Sequence, residues 1–137
     1  MTDEDEDLQG RIAVIGMAGR FPGAPDLSTF WRNLHDGVES IRPLTEEELI
    51  AAGESIDNIR DPSYVRAAAP LADIDQFDAG LFAISPRDAA VFDPQHRIFL
   101  ECAFEAFEHA GYGSGHIDGA VGVFASCGGS EYMYKNV

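Results

Sequence analysis

Basic residues are scarce in this chain of 137 residues, in which nine Lys and Arg stand against 24 Asp and Glu, for a formal net charge of −15. Nucleic-acid binding needs clustered Lys and Arg against the phosphate backbone, so the composition argues against a nucleic-acid partner. The acidic excess favours solubility and does not by itself indicate a cationic partner.

Cysteines and long apolar runs are also scarce. The chain has two cysteines, Cys102 and Cys127, and no run approaches the roughly 18 apolar residues that span a bilayer. The charged start does not resemble a signal peptide, so we expect no membrane association, a cytoplasmic location and reduced thiols. The cysteines and the histidines show no metal-ligand spacing, so we expect neither a bound metal nor a bound cofactor.

The chain divides into an acidic arm and one domain. Residues 1–9 include the run DEDED, whose like charges repel one another and contribute nothing to a core, so we expect a solvated, flexible arm. Residues 10–137 are long enough for one domain with a moderate core, and 45% of the whole chain is apolar.

Two consecutive helices are predicted in the stretch 85–112. Ser85 before Pro86 and Asp93 before Pro94 are both an N-cap followed by proline at the first helical position, and Gly111 suits the end of the second helix. That helix is apolar on nearly all sides, which predicts a buried helix with one solvated stripe of glutamates, namely Glu101, Glu105 and Glu108. Asp93 and Arg97 are spaced to form an i,i+4 pair at its start.

Two further helices precede this stretch. Asp26 caps a predicted helix that ends at Gly37, with Trp31 as a core anchor among apolar residues at helical spacing. Thr45 to Glu48 is a capping box for a shorter helix that stops at Gly53. Residues 54–63 are predicted to form a loop, and residues 64–72 an edge strand or hairpin arm bounded by prolines.

Two short apolar runs predict strands buried on both faces, as in parallel α/β sheets. They are residues 12–15 and residues 120–125. The first is followed by a glycine-rich turn, residues 16–23, for which one interpretation is a phosphate cradle of a nucleotide-binding domain. Its GxxGxxxG spacing fits neither the dinucleotide fingerprint nor the P-loop, and Pro22 removes a donor N–H, so nucleotide binding is disfavoured.

The sequence contains three ordered blocks, which are IAVIGMAGRFPGAPDLSTFWRNLHDG, FDAGLFAISPRDAAVFDPQHRIFLECAFEAFEHAGY and GAVGVFASCGGSEY. These blocks resemble the N-terminal half of the β-ketoacyl synthase (ketosynthase) domain of modular type I polyketide synthases. The departures from the family pattern are mild: Gly19, Ala83, Phe92, Phe104 and Phe107 replace the usual Cys, Gly, Met, Trp and Leu.

The resemblance implies an α/β fold, namely an incomplete N-terminal portion of the thiolase-like layered fold. It also implies a role in decarboxylative Claisen condensation of acyl and malonyl-type thioesters. The implied partners are the remainder of the ketosynthase domain, an acyl carrier protein whose phosphopantetheine carries the substrates, and a second copy in a homodimer.

No catalytic residue is predicted in this chain. In the family the nucleophilic cysteine lies in a TACSSS-type motif and the two histidines in HGTGT-type and NxGH-type motifs, and none of these motifs occurs here. Cys127 lies beside glycines at a strand end, which is typical of a nucleophile but also of a small residue tolerated in a tight turn, and we favour the turn. Cys102 is expected to be an inert thiol on an apolar helix face. His96 is expected to have a structural role, and no role is assigned to His35, His109 or His116.

The sequence therefore predicts a ketosynthase segment that is truncated before the nucleophile and is inactive alone. The alternative is a stand-alone, non-catalytic fragment used for interaction or regulation. The coding sequence downstream of Val137 distinguishes the two, because a TACSSS-like continuation supports the enzyme and a stop codon supports the alternative.

Overall fold

The computed structural model describes residues 11–113, 117–130 and 132. The predicted acidic arm and His116 lie outside the described residues. The elements found within them are, in order, α1 (Leu27–Asp36), β1 (Arg42–Pro43), α2 (Glu46–Ala51), α3 (Ile56–Arg60), β2 (Ala67–Ala68), α4 (Pro86–Val91) and α5 (Pro94–His109). No helix in this part of the chain is long and apolar enough to cross a membrane.

The predicted helix starts are confirmed at four N-caps. The side chain of Asp26 accepts a hydrogen bond from the Thr29 N–H at 2.7 Å, and Thr45 forms the predicted capping box with Glu48. The remaining two caps are Ser85, at the start of α4, and Asp93, at the start of α5. These caps fix where the helices begin, since each satisfies an N–H group that has no partner within its helix.

Residues 42–68, which we call the hairpin subregion, form a small unit of their own. β1 pairs antiparallel with β2, with Arg42 opposite Ala68 and Pro43 opposite Ala67. The Arg42 guanidinium donates to both carboxylate oxygens of Glu48, at 2.6 and 3.0 Å. This contact, followed by the Thr45 N–H, lowers the pKa of Glu48 to about 2. The strand and the helix start are thereby tied together.

The prediction of a loop over residues 54–63 is wrong, because α3 lies within it. Its N-cap is Ser55, whose hydroxyl accepts from the Asn58 N–H at 3.1 Å. Ile59 is only 1% exposed, and Leu49 of α2 is buried as well. A helix of five residues is too short to show a helical period in the sequence. The sequence therefore gives no periodic signal for α3, and the helix is recognised only in the structure, where it buries Ile59. The extended arm predicted over residues 64–72 is confirmed only at Ala67–Ala68.

The two predicted buried strands are not formed among the described residues. Residues 12–15 and 120–125 belong to no ladder, and their apolar side chains face solvent: Ile12 is 95% exposed and Phe124 97%. A buried strand needs hydrogen-bonded neighbours at its edges and cover on its faces. The described residues supply neither, so the apolar pattern is present without the sheet that would use it.

The burial predicted for α5 is also corrected. Its one buried residue is Arg97, while most of its apolar residues are half-buried, and Phe99 and Phe107 are exposed. The best covered aromatic is Phe104, which meets Phe82 edge-on with ring centroids 6.3 Å apart. One side of α5 is therefore packed and another is open.

Trp31 is not the core anchor that was predicted. It is 71% exposed, whereas its neighbour Phe30 stacks on Phe21 with ring centroids 4.0 Å apart. Helical spacing identifies an apolar face, but what covers that face depends on other elements. In the described structure, α1 uses Phe30 and leaves Trp31 uncovered.

Candidate functional site

The C-terminal half of α5 holds the glycine-rich turn through close backbone packing. A Cβ added at Gly16 would lie 2.3 Å from the Ala106 carbonyl oxygen and 2.9 Å from the Ala110 Cβ. The Nδ1 atom of His109 lies 3.0 Å from both the backbone N and the backbone O of Met17. It accepts from the N–H in one tautomer and donates to the carbonyl in the other. Glycine at position 16 is thus required for close approach rather than for phosphate binding.

An ion pair fastens the same turn to the middle of α5. The Arg20 guanidinium donates to both carboxylate oxygens of Glu105, with Nη1 2.8 Å from Oε2. This bidentate contact lowers the pKa of Glu105 and raises that of Arg20. Glu105 was expected to belong to a solvated stripe, but it is half-buried and paired. The ion pair therefore fixes the position of the turn that follows residues 12–15 relative to α5.

The N-terminal half of α5 holds a second segment, residues 126–130. The side-chain amide of Gln95 contacts both polar groups of the Gly128 residue: its Oε1 accepts from the Gly128 N–H at 3.0 Å, and its Nε2 donates to the Gly128 carbonyl at 3.5 Å. Asp93 accepts from Ser130, and this hydrogen bond, followed by the one from the Gln95 N–H, lowers the pKa of Asp93. Two neighbouring side chains of one helix start therefore hold a glycine-rich stretch.

Arg97 completes this arrangement and does not form the predicted pair with Asp93. Its Nε donates to the Phe92 carbonyl at 2.7 Å, and its Nη2 donates to the Tyr132 hydroxyl at 3.0 Å. The guanidinium also lies over the Tyr132 ring, 5.6 Å from the centroid. The Tyr132 hydroxyl in turn donates to the Ala90 carbonyl at 3.3 Å. Arg97 is only 6% exposed, and these contacts compensate for the burial of its charge.

We call these three side chains, Asp93, Gln95 and Arg97, the latch. The segment they hold is exposed and has no regular secondary structure between residues 120 and 130. Each hydrogen bond contributes about 0.5–1.5 kcal/mol net, while ordering the backbone costs about 1–2 kcal/mol per residue. The stabilisation from the hydrogen bonds and the entropic cost of ordering the backbone are of similar size and oppose each other. The latch therefore defines the conformation of the segment and adds little to the stability of the fold.

A cleft of about 740 Å³ lies between the two held segments. Its walls include Arg20 and Phe21 from the glycine-rich turn, Gln95, Ile98 and Cys102 from α5, and Ser126 from the latched segment. Burial raises the pKa of the Cys102 thiol, which agrees with the inert role expected for it. The cleft is mostly apolar and carries the Arg20 guanidinium near one wall.

In the part of the chain that the structure describes, the cysteines and histidines are not brought together. Cys127 is exposed and adjoins Gly128 of the latched segment. His109 contacts the Met17 backbone, and the His96 ring lies 5.6 Å from that of Phe92. Within the described residues no hydrogen bond joins a histidine to a cysteine, and no group of three or more His, Cys, Asp and Glu is placed to hold a metal ion.

The latch was not foreseen from the residues, although its members lie in the quoted family motif. An N-cap aspartate followed by proline predicts a helix start, and that signal accounts for Asp93 without any partner. The local sequence does not indicate that Gln95, at the second helical position, contacts Gly128, which lies 33 residues away. The glycine-rich run at residues 127–130 was the available hint, because such a run needs an external constraint to hold one conformation.

Comparisons with known proteins agree with this architecture. Residues 9–137 match the family described as "Beta-ketoacyl synthase, N-terminal domain". The chain is 51% identical over 129 residues to a phenolphthiocerol/phthiocerol polyketide synthase component of Mycobacterium tuberculosis, covering 94% of this chain and 9% of that protein. It matches ketosynthase twelve of the bacillaene polyketide synthase of Bacillus amyloliquefaciens with a TM-score of 0.61 and 43% identity, over 70% of this chain and 17% of that one. The ketosynthase from module 6 of the Bacillus subtilis 168 bacillaene synthase gives a TM-score of 0.59 and 38% identity, over 70% of this chain and 16% of that one.

The chain is thus of the ketosynthase class with a thiolase-like fold, and it corresponds to the N-terminal part of such a domain. It belongs to the β-ketoacyl synthase family, among the polyketide synthases. The resemblance stated from the three sequence blocks is confirmed. The chain spans less than a fifth of the length of the proteins it matches.

Proposed function

We propose that this chain is a scaffold segment of a polyketide ketosynthase that condenses acyl and malonyl-type thioesters with loss of carbon dioxide. The observation that carries the proposal is the match of residues 9–137 to the N-terminal domain of the β-ketoacyl synthase family, together with 51% identity to a polyketide synthase. The structure supports a scaffold role, because α5 holds the segments that follow both apolar runs.

The chemistry proposed for the complete enzyme depends on groups outside this chain. A cysteine takes the acyl group from a phosphopantetheine thioester, and two histidines assist decarboxylation of the malonyl unit and attack of the resulting carbanion. The proposed partners are the remainder of the ketosynthase domain, an acyl carrier protein that presents the substrates, and a second ketosynthase copy. A cytosolic location is proposed with them, and it is supported by the two free thiols.

The proposal assigns no catalytic residue to residues 1–137, so the isolated chain should not be acylated. The test is incubation with an acyl-pantetheine thioester followed by mass spectrometry of the intact protein. We expect no stoichiometric adduct on this chain, and one adduct on a complete ketosynthase domain that contains it.

A Cys127→Ser variant of the complete domain is the matched control. It should still carry one acyl adduct per chain, since the proposal places the nucleophile outside residues 1–137 and Cys127 is a free, exposed thiol. An acyl adduct on Cys127 that goes on to react with a malonyl thioester would overturn the assignment. A complete domain that is never acylated would overturn the proposed function itself.

A further inference from the structure

We propose that the latch positions residues 126–130 for the ketosynthase reaction, with Gln95 as its principal positioning residue. The inference rests on the proposed function for its link to catalysis, and on the contacts of the described residues for the latch itself. No side chain of the latch is assigned to bond making or breaking.

The geometry of the Gln95 contact carries the first step. One amide group meets both the N–H and the carbonyl of Gly128, so it restrains the two peptide planes that flank this residue. A single hydrogen bond would leave each plane free to rotate about the bond. Gly128 and Gly129 have no side chains to pack, and glycine populates a wide range of backbone conformations. The glutamine therefore supplies the constraint that the segment lacks.

The second step is that several side chains at the start of α5 contact this short stretch of chain. Gln95 binds Gly128 and Asp93 binds Ser130 within the segment, and Arg97 binds Tyr132 two residues beyond its end. All three come from the first turns of one helix, α5, whose start is set by its own cap. A loop held at several points by a rigid element presents its remaining side chains in a defined way.

The third step concerns the place of the segment. Gln95 and Ser126 line the same cleft as Cys102 and Ile98. If the hydrogen bonds between Gln95 and Gly128 break, Ser126 and Cys127 can move and the wall of that cleft changes shape. Because the segment is exposed, its release should alter the shape of the site and leave the stability of the fold nearly unchanged. This separation of shape from stability distinguishes a positioning residue from a structural one.

The first experiment measures the latch without any assumption about function. Amide hydrogen exchange of Gly128 is followed by NMR in the 137-residue chain, as the parent and as Gln95→Met, which has a similar length and no amide. Loss of the bond should speed exchange about two- to tenfold, the factor that an ordinary net hydrogen bond represents. Gln95→Glu keeps the acceptor for the Gly128 N–H and should stay near the parent rate.

The matched control is Gln76→Met, which changes an exposed glutamine whose side chain contacts only Asp75 among the bonds described for it. It should leave Gly128 exchange unchanged. An unprotected Gly128 amide in the parent, or equal rates in the parent and in Gln95→Met, would overturn the latch.

The second experiment measures catalysis in a complete ketosynthase domain that contains this segment. Gln95→Met should lower kcat for condensation several-fold while KM for the acyl carrier thioester and the melting temperature stay close to the parent values. Gln95→Glu should recover part of the loss, and Gln76→Met should have none.

Unchanged turnover in Gln95→Met would overturn the positioning role, and so would a loss of turnover that merely follows a loss of melting temperature. An inactive parent domain would overturn the proposed function and the positioning role together. The exchange rates of Gly128 would still decide whether the latch exists.

Discussion

The hairpin subregion and the two apolar runs make opposite use of similar residues. Residues 42–68 mix polar and apolar side chains, yet they bury Leu49 and Ile59 and close a two-stranded pairing. Residues 12–15 and 120–125 are almost entirely apolar, yet they form no ladder among the described residues and expose Ile12, Val123 and Phe124. Apolar content alone therefore does not decide burial.

The difference lies in how far apart the partners are along the chain. In the hairpin subregion Arg42 reaches Glu48, six residues ahead, and the Tyr64 hydroxyl donates to Glu54, ten residues back, at 2.9 Å. The strand pairing joins Arg42 to Ala68, so every partner lies within residues 42–68. Loop-closure entropy is small for such spans. A buried strand in a layered α/β sheet depends on neighbours that are distant in sequence. The two apolar runs depend on such distant neighbours.

The first prediction tests this contrast with one substitution at two sites. Ile59→Ala should cost about 2–5 kcal/mol of unfolding free energy, because Ile59 is buried and its removal leaves a cavity. Ile12→Ala changes a side chain that is already in solvent and should cost less than about 0.5 kcal/mol. Urea denaturation followed by circular dichroism measures both. Equal losses would mean that residues 12–15 are packed after all.

The second prediction concerns association through the apolar runs. Because Ile12, Val14, Val123 and Phe124 are exposed, the purified chain should self-associate and bind a hydrophobic dye despite its charge of −15. Phe124→Asp should reduce both effects. Val65→Asp is the control, since Val65 is also exposed but lies in the hairpin subregion. Sedimentation velocity over a range of concentrations decides, and a monomeric parent chain without dye binding would contradict the prediction.

The third and smallest effect is a pH dependence inside the hairpin subregion. The folded-state pKa of Glu48 is about 2, below its ordinary value of 4.5, because Arg42 and the Thr45 N–H bind its carboxylate. Its stabilising contribution is thus fully present above about pH 4.5 and is lost as the pH falls from there towards about 2. Glu48→Gln should remove this part of the dependence. An NMR titration of the Glu48 carboxyl carbon checks it, and a midpoint near 4.5 would exclude the contact with Arg42 in solution.

Helix starts and the family were predictable from the sequence because their signals are local or dense. Asp26, Thr45, Ser85 and Asp93 each cap a helix through a backbone N–H two or three residues ahead, so the cap and its partner are read together. The three family blocks cover most of the chain, and the match over residues 9–137 agrees with them. The edge pairing at Ala67–Ala68 was predictable only in part, and α3 was missed because one helical turn has no measurable period.

Tertiary structure alone decided which of these elements touch. Arg20 and Glu105 are 85 residues apart, and Gln95 and Gly128 are 33 apart, so no window of local sequence contains either pair. The close approach of Gly16 to Ala106 is equally remote in sequence, and it explains a glycine that resembled part of a phosphate-binding turn. Local sequence determines backbone conformation through hydrogen bonds between near neighbours. Side-chain burial and the latch depend on distances in space, which the chain acquires only when α5 and its two held segments come together.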